Sequence, residues 1–138
     1  MEDLEDFDFS FVQSGDFLVS AHPEQIDCDD NRRELWAYCL RIENNSSQKV
    51  RLLRRDFCIT DSLGQNHYDL SEGFNGELPD LQPGEYYEFE DTAVVDGRAA
   101  VLYGSCIAQN ESGETIRIDI PLMQLSVANP RPNKFALN

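Results

Sequence analysis

The residues with the clearest chemical potential form a glycine-containing loop at positions 71–76, Ser-Glu-Gly-Phe-Asn-Gly. The loop matches a Gly-x-Gly-x-x-Gly pattern at all but one position, with Ser71 in place of the first glycine. Successive backbone N–H groups in such a loop can bind an anion. Arg54 or Arg55 could add the bidentate contacts that phosphate favours. This hypothesis predicts a small-anion site, for pyrophosphate or a nucleotide, formed by Arg55, Ser71, Gly73 and Gly76.

A second interpretation of the same loop is structural. A dinucleotide fingerprint needs a helix directly after the glycines, so that the helix N-terminus faces the phosphates. Residues 77–80, Glu-Leu-Pro-Asp, are typical of an extended turn instead. Glycines in loops mostly serve backbone geometry, and both interpretations stay open at this point.

Metal and catalytic chemistry have weaker support. Residues 27–31, Asp-Cys-Asp-Asp-Asn, resemble the opening of a calcium loop, but Arg32 stands where that loop needs glycine. A loose attraction of Mg²⁺ or Co²⁺ to Asp27, Asp29 and Asp30 is left open. No dedicated metal site, no cofactor and no catalytic residue are predicted, because no Ser or Cys belongs to a nucleophile motif with His. The protein is therefore expected not to be an enzyme.

The four cysteines are widely spaced and form no Cys-x-x-Cys pair; they are Cys28, Cys39, Cys58 and Cys106. Cysteines of this kind are best interpreted as small hydrophobic residues rather than as disulfide or zinc ligands. Three of them, all except Cys28, lie in runs with strand character.

Composition limits the class of partner. The net charge is −15, from 26 acidic and 11 basic residues, which disfavours nucleic acids and anionic membranes. No apolar run approaches the roughly 18 residues of a membrane span. The acidic first nine residues do not resemble a signal peptide, so a cytoplasmic location is expected.

The elements that must position the loop are strands. Residues 35–42 alternate strictly, which predicts a strand with Trp36, Tyr38, Leu40 and Ile42 on one face. Seven to eight short strands separated by turn signals predict an all-β antiparallel sandwich. We expect the first strand to stop at Pro23 and the alternation to break at Arg54–Arg55.

The chain is expected to divide into three parts. Residues 1–15 form an acidic extension, or an edge segment that docks Phe7, Phe9 and Phe11. Residues 16–128 form the sandwich. Residues 129–138 form a tail, in which two prolines remove backbone donors.

Short motifs across residues 17–127 resemble the ApaG family in order and spacing. They include residues 42–44 (Ile-Glu-Asn), 59–61 (Ile-Thr-Asp), 81–85 (Leu-Gln-Pro-Gly-Glu), 104–105 (Gly-Ser) and 120–121 (Ile-Pro). The resemblance implies a fibronectin type III-like β-sandwich and an association with cobalt resistance and magnesium efflux. It also implies that eukaryotic proteins use the domain for protein interactions, and that the glycine loop is a suggested pyrophosphate or nucleotide site.

This sequence departs from the family pattern near that loop. Ser71 replaces the usual first glycine, Asp56-Phe57 replaces a common His-Trp, and Cys106 replaces a usual aromatic residue. Asp56 would repel an anion nearby. The favoured hypothesis is therefore a non-catalytic module that binds an unidentified protein partner through its loops or an edge strand, with the small-anion binder as the alternative.

Overall fold

The computed structural model describes residues 10–28 and 33–126, which form strands and turns. The strands are β1 (Ser10–Ser14), β2 (Phe17–Cys28), β3 (Arg33–Asn44), β4 (Val50–Asp61), β5 (Asn66–Asp69), β6 (Asp80–Leu81), β7 (Tyr86–Asp96), β8 (Ala99–Asn110), β9 (Thr115–Asp119) and β10 (Met123–Ser126). No helix long and apolar enough to cross a bilayer occurs in these two ranges.

The strands form two antiparallel sheets. The four-stranded sheet has the order β1-β2-β3-β7. The six-stranded sheet has the order β10-β8-β4-β5, with β9 also paired to β8 and β6 to β4. The predicted all-β antiparallel sandwich is thus confirmed, although the described residues form ten strands, because β6 and the edge strand β1 add to the expected set. The finer likeness to fibronectin type III stays a prediction.

The core lies between the sheets and follows the alternation of the strands. Trp36, Tyr38, Leu40 and Ile42 are all buried, as the period-2 pattern of β3 predicts. The other sheet contributes apolar side chains from its inner face, among them Leu52, Phe57, Leu102, Cys106, Ile118, Met123 and Leu125.

The prediction that the first strand stops at Pro23 is wrong. β2 continues through Pro23 and pairs with β3 as far as Cys28. Among residues 10–28 and 33–126, β1 pairs with β2 up to Ala21, and no strand of these ranges lies beside Pro23 on the side away from β3. A missing N–H is tolerated at an edge, because no neighbouring strand needs it.

The predicted irregularity in β4 is present, but it lies just before Arg54–Arg55 rather than at these two residues. The register between β4 and β8 shifts between Leu52 and Arg54, which is a β-bulge. The bulge sets the face of every later residue of β4, so that Arg55 and Phe57 point into the sandwich.

Ser10–Ser14, within the segment expected to be an extension or an edge segment, pairs with residues 17–21 as an edge strand. Phe11 is 63% exposed on this strand. Phe7, Phe9 and the tail at 129–138 lie outside the described residues.

Candidate functional site

Arg55 is the centre of a polar cluster that joins the two sheets at one end of the sandwich. Its side chain is only 10% exposed, and its Nη1 lies 2.8 Å from Asp91 Oδ2 and 3.2 Å from Asp69 Oδ2. Asp91 comes from β7 in the four-stranded sheet, whereas Arg55 and Asp69 belong to the six-stranded sheet. The guanidinium charge is thus balanced by two carboxylates that come from different sheets.

Aromatic rings cover the rest of the guanidinium. Arg55 Cζ lies 4.9 Å from the ring centroid of Phe89 and 5.9 Å from that of Phe74, within the range of cation–π attraction. Arg55 Nε is buried and has no hydrogen-bond acceptor among the described residues. At that edge of the guanidinium, the cation–π attraction of the Phe74 and Phe89 rings therefore takes the place of a hydrogen bond.

The buried groups around Arg55 have shifted titration. Burial raises the pKa of Tyr38, the negative charges of Asp91 and Asp69 raise it further, and Arg55 opposes the shift. Burial likewise raises the pKa of the Cys106 thiol to about 12. Both groups stay protonated at neutral pH, so neither is an activated nucleophile or base.

The glycine loop contributes its backbone to this cluster. Arg55 N–H donates to the Ser71 carbonyl at 2.8 Å, and Gly73 N–H donates to the Leu53 carbonyl at 2.7 Å. The Ser71 hydroxyl donates to Asp69, which orients that carboxylate toward Arg55. Arg55 and Ser71, which the sequence proposed for an anion, are thus brought together, but they bond to each other, and the Gly73 N–H is used by Leu53.

Residues 74–77 form a tight hairpin within the loop. Phe74 and Glu77 exchange backbone hydrogen bonds of 2.8 and 3.1 Å. The two residues between them, Asn75 and Gly76, have φ values of 53° and 85°, as a type I′ turn requires. The Asn-Gly pair is the strongest short hairpin signal in a sequence, and it would have predicted this turn.

The function of the turn is to insert Phe74 into the core. Phe74 is fully buried and packs edge-on against Tyr87 at 5.9 Å and Phe89 at 5.1 Å. Gly73, with φ of 75°, allows the chain to enter the turn, because a Cβ at this position would lie 2.8 Å from the Glu77 carbonyl oxygen. Three of the four residues of the proposed anion site, Arg55, Ser71 and Gly73, are therefore built into the packing of this end of the sandwich.

Sequence reasoning missed Asp69, Asp91 and Tyr38 as members of the cluster. One signal was available for Asp91. It shares the inward face of β7 with Phe89, two residues before it, and an acidic residue facing a core must find a cation. The same alternation places Tyr38 opposite Asp91 in the register of the four-stranded sheet.

Asn44 organises a second polar cluster, where β3 ends. Its buried side chain donates to the carbonyls of Gln48 and Leu81, both at 2.9 Å, and accepts from Ser46 N–H at 2.9 Å. Its backbone pairs with Glu85 and Gly84 of the Pro-Gly turn. The family motifs at residues 42–44 and 81–85 thus meet in one structural joint.

Asp61 organises a third cluster at the turn after β4. Its Oδ1 accepts from Leu63 N–H at 2.9 Å and from Gln65 N–H at 3.0 Å, and its Oδ2 lies 3.1 Å from His67 Nε2. The His67 hydrogen bond and these backbone donors lower the pKa of Asp61. His67 is thus part of the cap of this turn.

Metal ligands do not gather in the described residues, where no three His, Cys, Asp or Glu side chains lie close enough to hold an ion. The aspartates of the calcium-like stretch, Asp29 and Asp30, lie outside these residues, and Asp27 is described only through its backbone pairing in β2. The three cysteines whose side chains are described, Cys39, Cys58 and Cys106, are free thiols.

Apolar side chains are exposed on the outer faces of both sheets. On the six-stranded sheet, Tyr68 and Tyr103 both pair with Cys58 in the register and flank it from either side. Their exposed fractions are 66% and 38%, while Cys58 between them is buried. The outer sheet faces thus carry exposed apolar side chains, whereas the polar clusters bond within the fold.

Fold and site together define an antiparallel β-sandwich domain whose end is closed by an arginine–carboxylate cluster and a glycine turn. The family model of the ApaG domain matches residues 24–110. The chain belongs to the ApaG family.

Two relatives and one solved structure show the similarity to ApaG proteins over most of the chain. Protein ApaG of Sinorhizobium fredii is 38% identical over 114 residues, which cover 80% of this chain and 87% of the relative. Protein ApaG of Deinococcus radiodurans is 32% identical over 128 residues, which cover 92% and 99%. The crystal structure of the putative ApaA protein from Bordetella pertussis superposes with a TM-score of 0.78 at 25% identity, covering 84% of this chain and 95% of that one.

Proposed function

We propose that this ApaG-family protein is a non-catalytic, cytoplasmic interaction module that binds a protein partner through a preformed surface of the sandwich. The observation that carries the proposal is the internal use of its polar groups. Arg55, Ser71, Gly73 and Asp61 bond within the fold, whereas large apolar side chains remain exposed on the outer sheet faces. Exposed apolar groups on a rigid scaffold are typical of binding surfaces.

The family's association with cobalt resistance and magnesium efflux fits this proposal as an indirect effect. The partner, rather than this chain, would be the protein that moves or senses the ions. Divalent cations and phosphate-type anions are then weak ligands at most.

Affinity capture from lysate, followed by measurement of the Kd for purified candidates, tests the proposal. The full chain, immobilised through a terminal tag, is incubated with cell lysate, and bound proteins are identified by mass spectrometry. A partner that purified components reproduce with a micromolar or lower Kd supports the proposal. If no purified candidate binds, while addition of a metabolite extract stabilises the protein against heat, the role is that of a small-molecule binder instead.

A further inference from the structure

A depression of about 440 Å³ lies on the outer face of the four-stranded sheet. Its floor consists of Ser20 and Cys39, whose side chains are small, beside Leu18. Phe11 from β1 and Arg41 from β3 stand on opposite sides of that floor. Small residues in the middle of a sheet between larger neighbours leave a preformed hollow, of the volume that binding clefts commonly have.

The two walls differ in character. Phe11 is 63% exposed, so its ring offers apolar surface to an incoming group. Arg41 packs its guanidinium over the Tyr86 ring, with Cζ 3.7 Å from the ring centroid. This cation–π contact holds the arginine in place as a wall.

The rim of the depression is acidic. Glu43 and Glu88 line it, and Glu90 pairs with Cys39 on the same face. Among the lining residues that the structure describes, Arg41 is the one cation against these three carboxylates. The Cys39 thiol, whose pKa is raised by burial and then by Glu88 and Glu90, reports the negative potential of the floor.

The β7 edge of the same sheet is less suited to binding a partner strand. At the centre of β7, the Glu90 carbonyl accepts from Asn75 Nδ2 at 3.2 Å, and Thr92 N–H donates to Asp91 Oδ1 at 2.8 Å. Side chains of this protein thus occupy backbone groups that a docking strand would need.

We propose that the depression of the four-stranded sheet binds an extended segment of the partner protein in which an apolar side chain is flanked by basic side chains two residues away, on the same face of the segment. The apolar side chain fills the hollow between Phe11 and Arg41, and the Lys or Arg side chains two residues before and after it meet Glu43 and Glu88 on the rim. The inference deepens the proposed interaction role and rests on it.

Charge complementarity favours this occupant over others. A second copy of the chain would bring the same acidic rim against itself. Residues 1–9 carry five carboxylates and no cation, so the rim would repel them too. A basic partner segment gains electrostatic attraction at the same surface.

The first experiment uses a defined probe. The peptide acetyl-Lys-Thr-Leu-Thr-Lys-amide, which places its leucine and both lysines on one face when extended, is titrated into the ¹⁵N-labelled full chain, with the Glu-for-Lys peptide as its matched control. We expect saturable amide shifts at Leu18, Ser20 and Cys39 with the basic peptide only. Shifts centred on Tyr68 and Tyr103, self-association of the protein, or no shift with the basic peptide would overturn the proposal.

The second experiment separates this surface from the interaction role as a whole. The variant Glu43→Lys/Glu88→Lys should raise the Kd for the basic peptide, and for any captured partner, at least tenfold. The control Glu111→Lys/Glu114→Lys makes the same charge change at the exposed β8–β9 turn and should leave the Kd within twofold. If both variants bind a captured partner with the wild-type Kd, the depression is not the binding site, although the interaction role of the protein still holds. Thermal unfolding of each variant verifies that it is folded.

Discussion

Arg55 and Asp91 form a 2.8 Å ion pair across the sandwich, from the inner face of β4 to the inner face of β7. The two residues are 36 positions apart in the chain and belong to different sheets. The pair therefore fixes the spacing of the sheets at the end where the glycine turn inserts Phe74. Arg55, which the sequence suggested for ligand binding, thus forms an internal ion pair that links the two sheets.

Replacing Arg55 should destabilise the fold far more than replacing its neighbour. Arg55→Met leaves Asp69 and Asp91 without their cation, and we expect a loss of about 2 kcal/mol in the free energy of unfolding, reduced from the fully buried case because both carboxylates are about a third exposed. Arg54→Met removes an exposed, solvent-screened pair with Asp56 and should lower the free energy of unfolding far less than Arg55→Met. Urea denaturation measures both values, and equal costs would contradict the internal role of Arg55.

The two loop glycines should differ in their tolerance of a side chain. Both have positive φ, so alanine is strained at either position. At Gly76 the added Cβ meets open space, whereas at Gly73 it meets the Glu77 carbonyl oxygen at 2.8 Å. We expect Gly76→Ala to cost about 1 kcal/mol and Gly73→Ala about 2–3 kcal/mol. Denaturation midpoints measure the difference; a larger cost at Gly76 would refute the steric argument.

Acidification should remove the contribution of Asp61 to the stability of the folded protein. The pKa of Asp61 is lowered in the folded protein by His67 and by backbone donors, so the folded state favours the carboxylate. This stabilisation is complete above the unfolded-state pKa of about 3.9 and is lost as the pH falls through the lower folded-state value. Asp61→Asn should therefore be less stable than wild type at pH 7, with a gap that narrows below about pH 4. Urea unfolding at pH 7, 5, 4 and 3 measures the difference in free energy of unfolding between wild type and Asp61→Asn. A difference that grows as the pH falls would contradict a lowered pKa of Asp61.

Phosphate-type anions should leave the melting temperature unchanged. The Arg55 charge is balanced by Asp69 and Asp91, and Gly73 N–H is bonded to Leu53. A ligand with a Kd of about 10 μM, present at about 1 mM, would stabilise the protein by about 2.7 kcal/mol. Thermal melting with pyrophosphate, ATP and sulfate tests this. An upward shift seen in wild type and absent in Arg55→Met would support the small-anion hypothesis instead.

Local patterns predicted the features that depend on neighbouring residues. The alternation of β3 identified its buried face, and the break in alternation at Arg54–Arg55 indicated an irregularity near the bulge of β4. Pro23 misled the prediction, because proline is excluded from central strands but tolerated at an edge, and edge position is not written in the local sequence.

The sequence by itself determined where strands form and which face of each is apolar, because side chains alternate with a period of two residues along any strand. Only the tertiary structure decided what the polar residues do. Asp69 and Asp91 meet Arg55 because the sheets bring distant positions together, and Gly73 N–H loses its availability because Leu53 lies opposite it. Such pairings depend on strand order and register, which no short window of residues specifies.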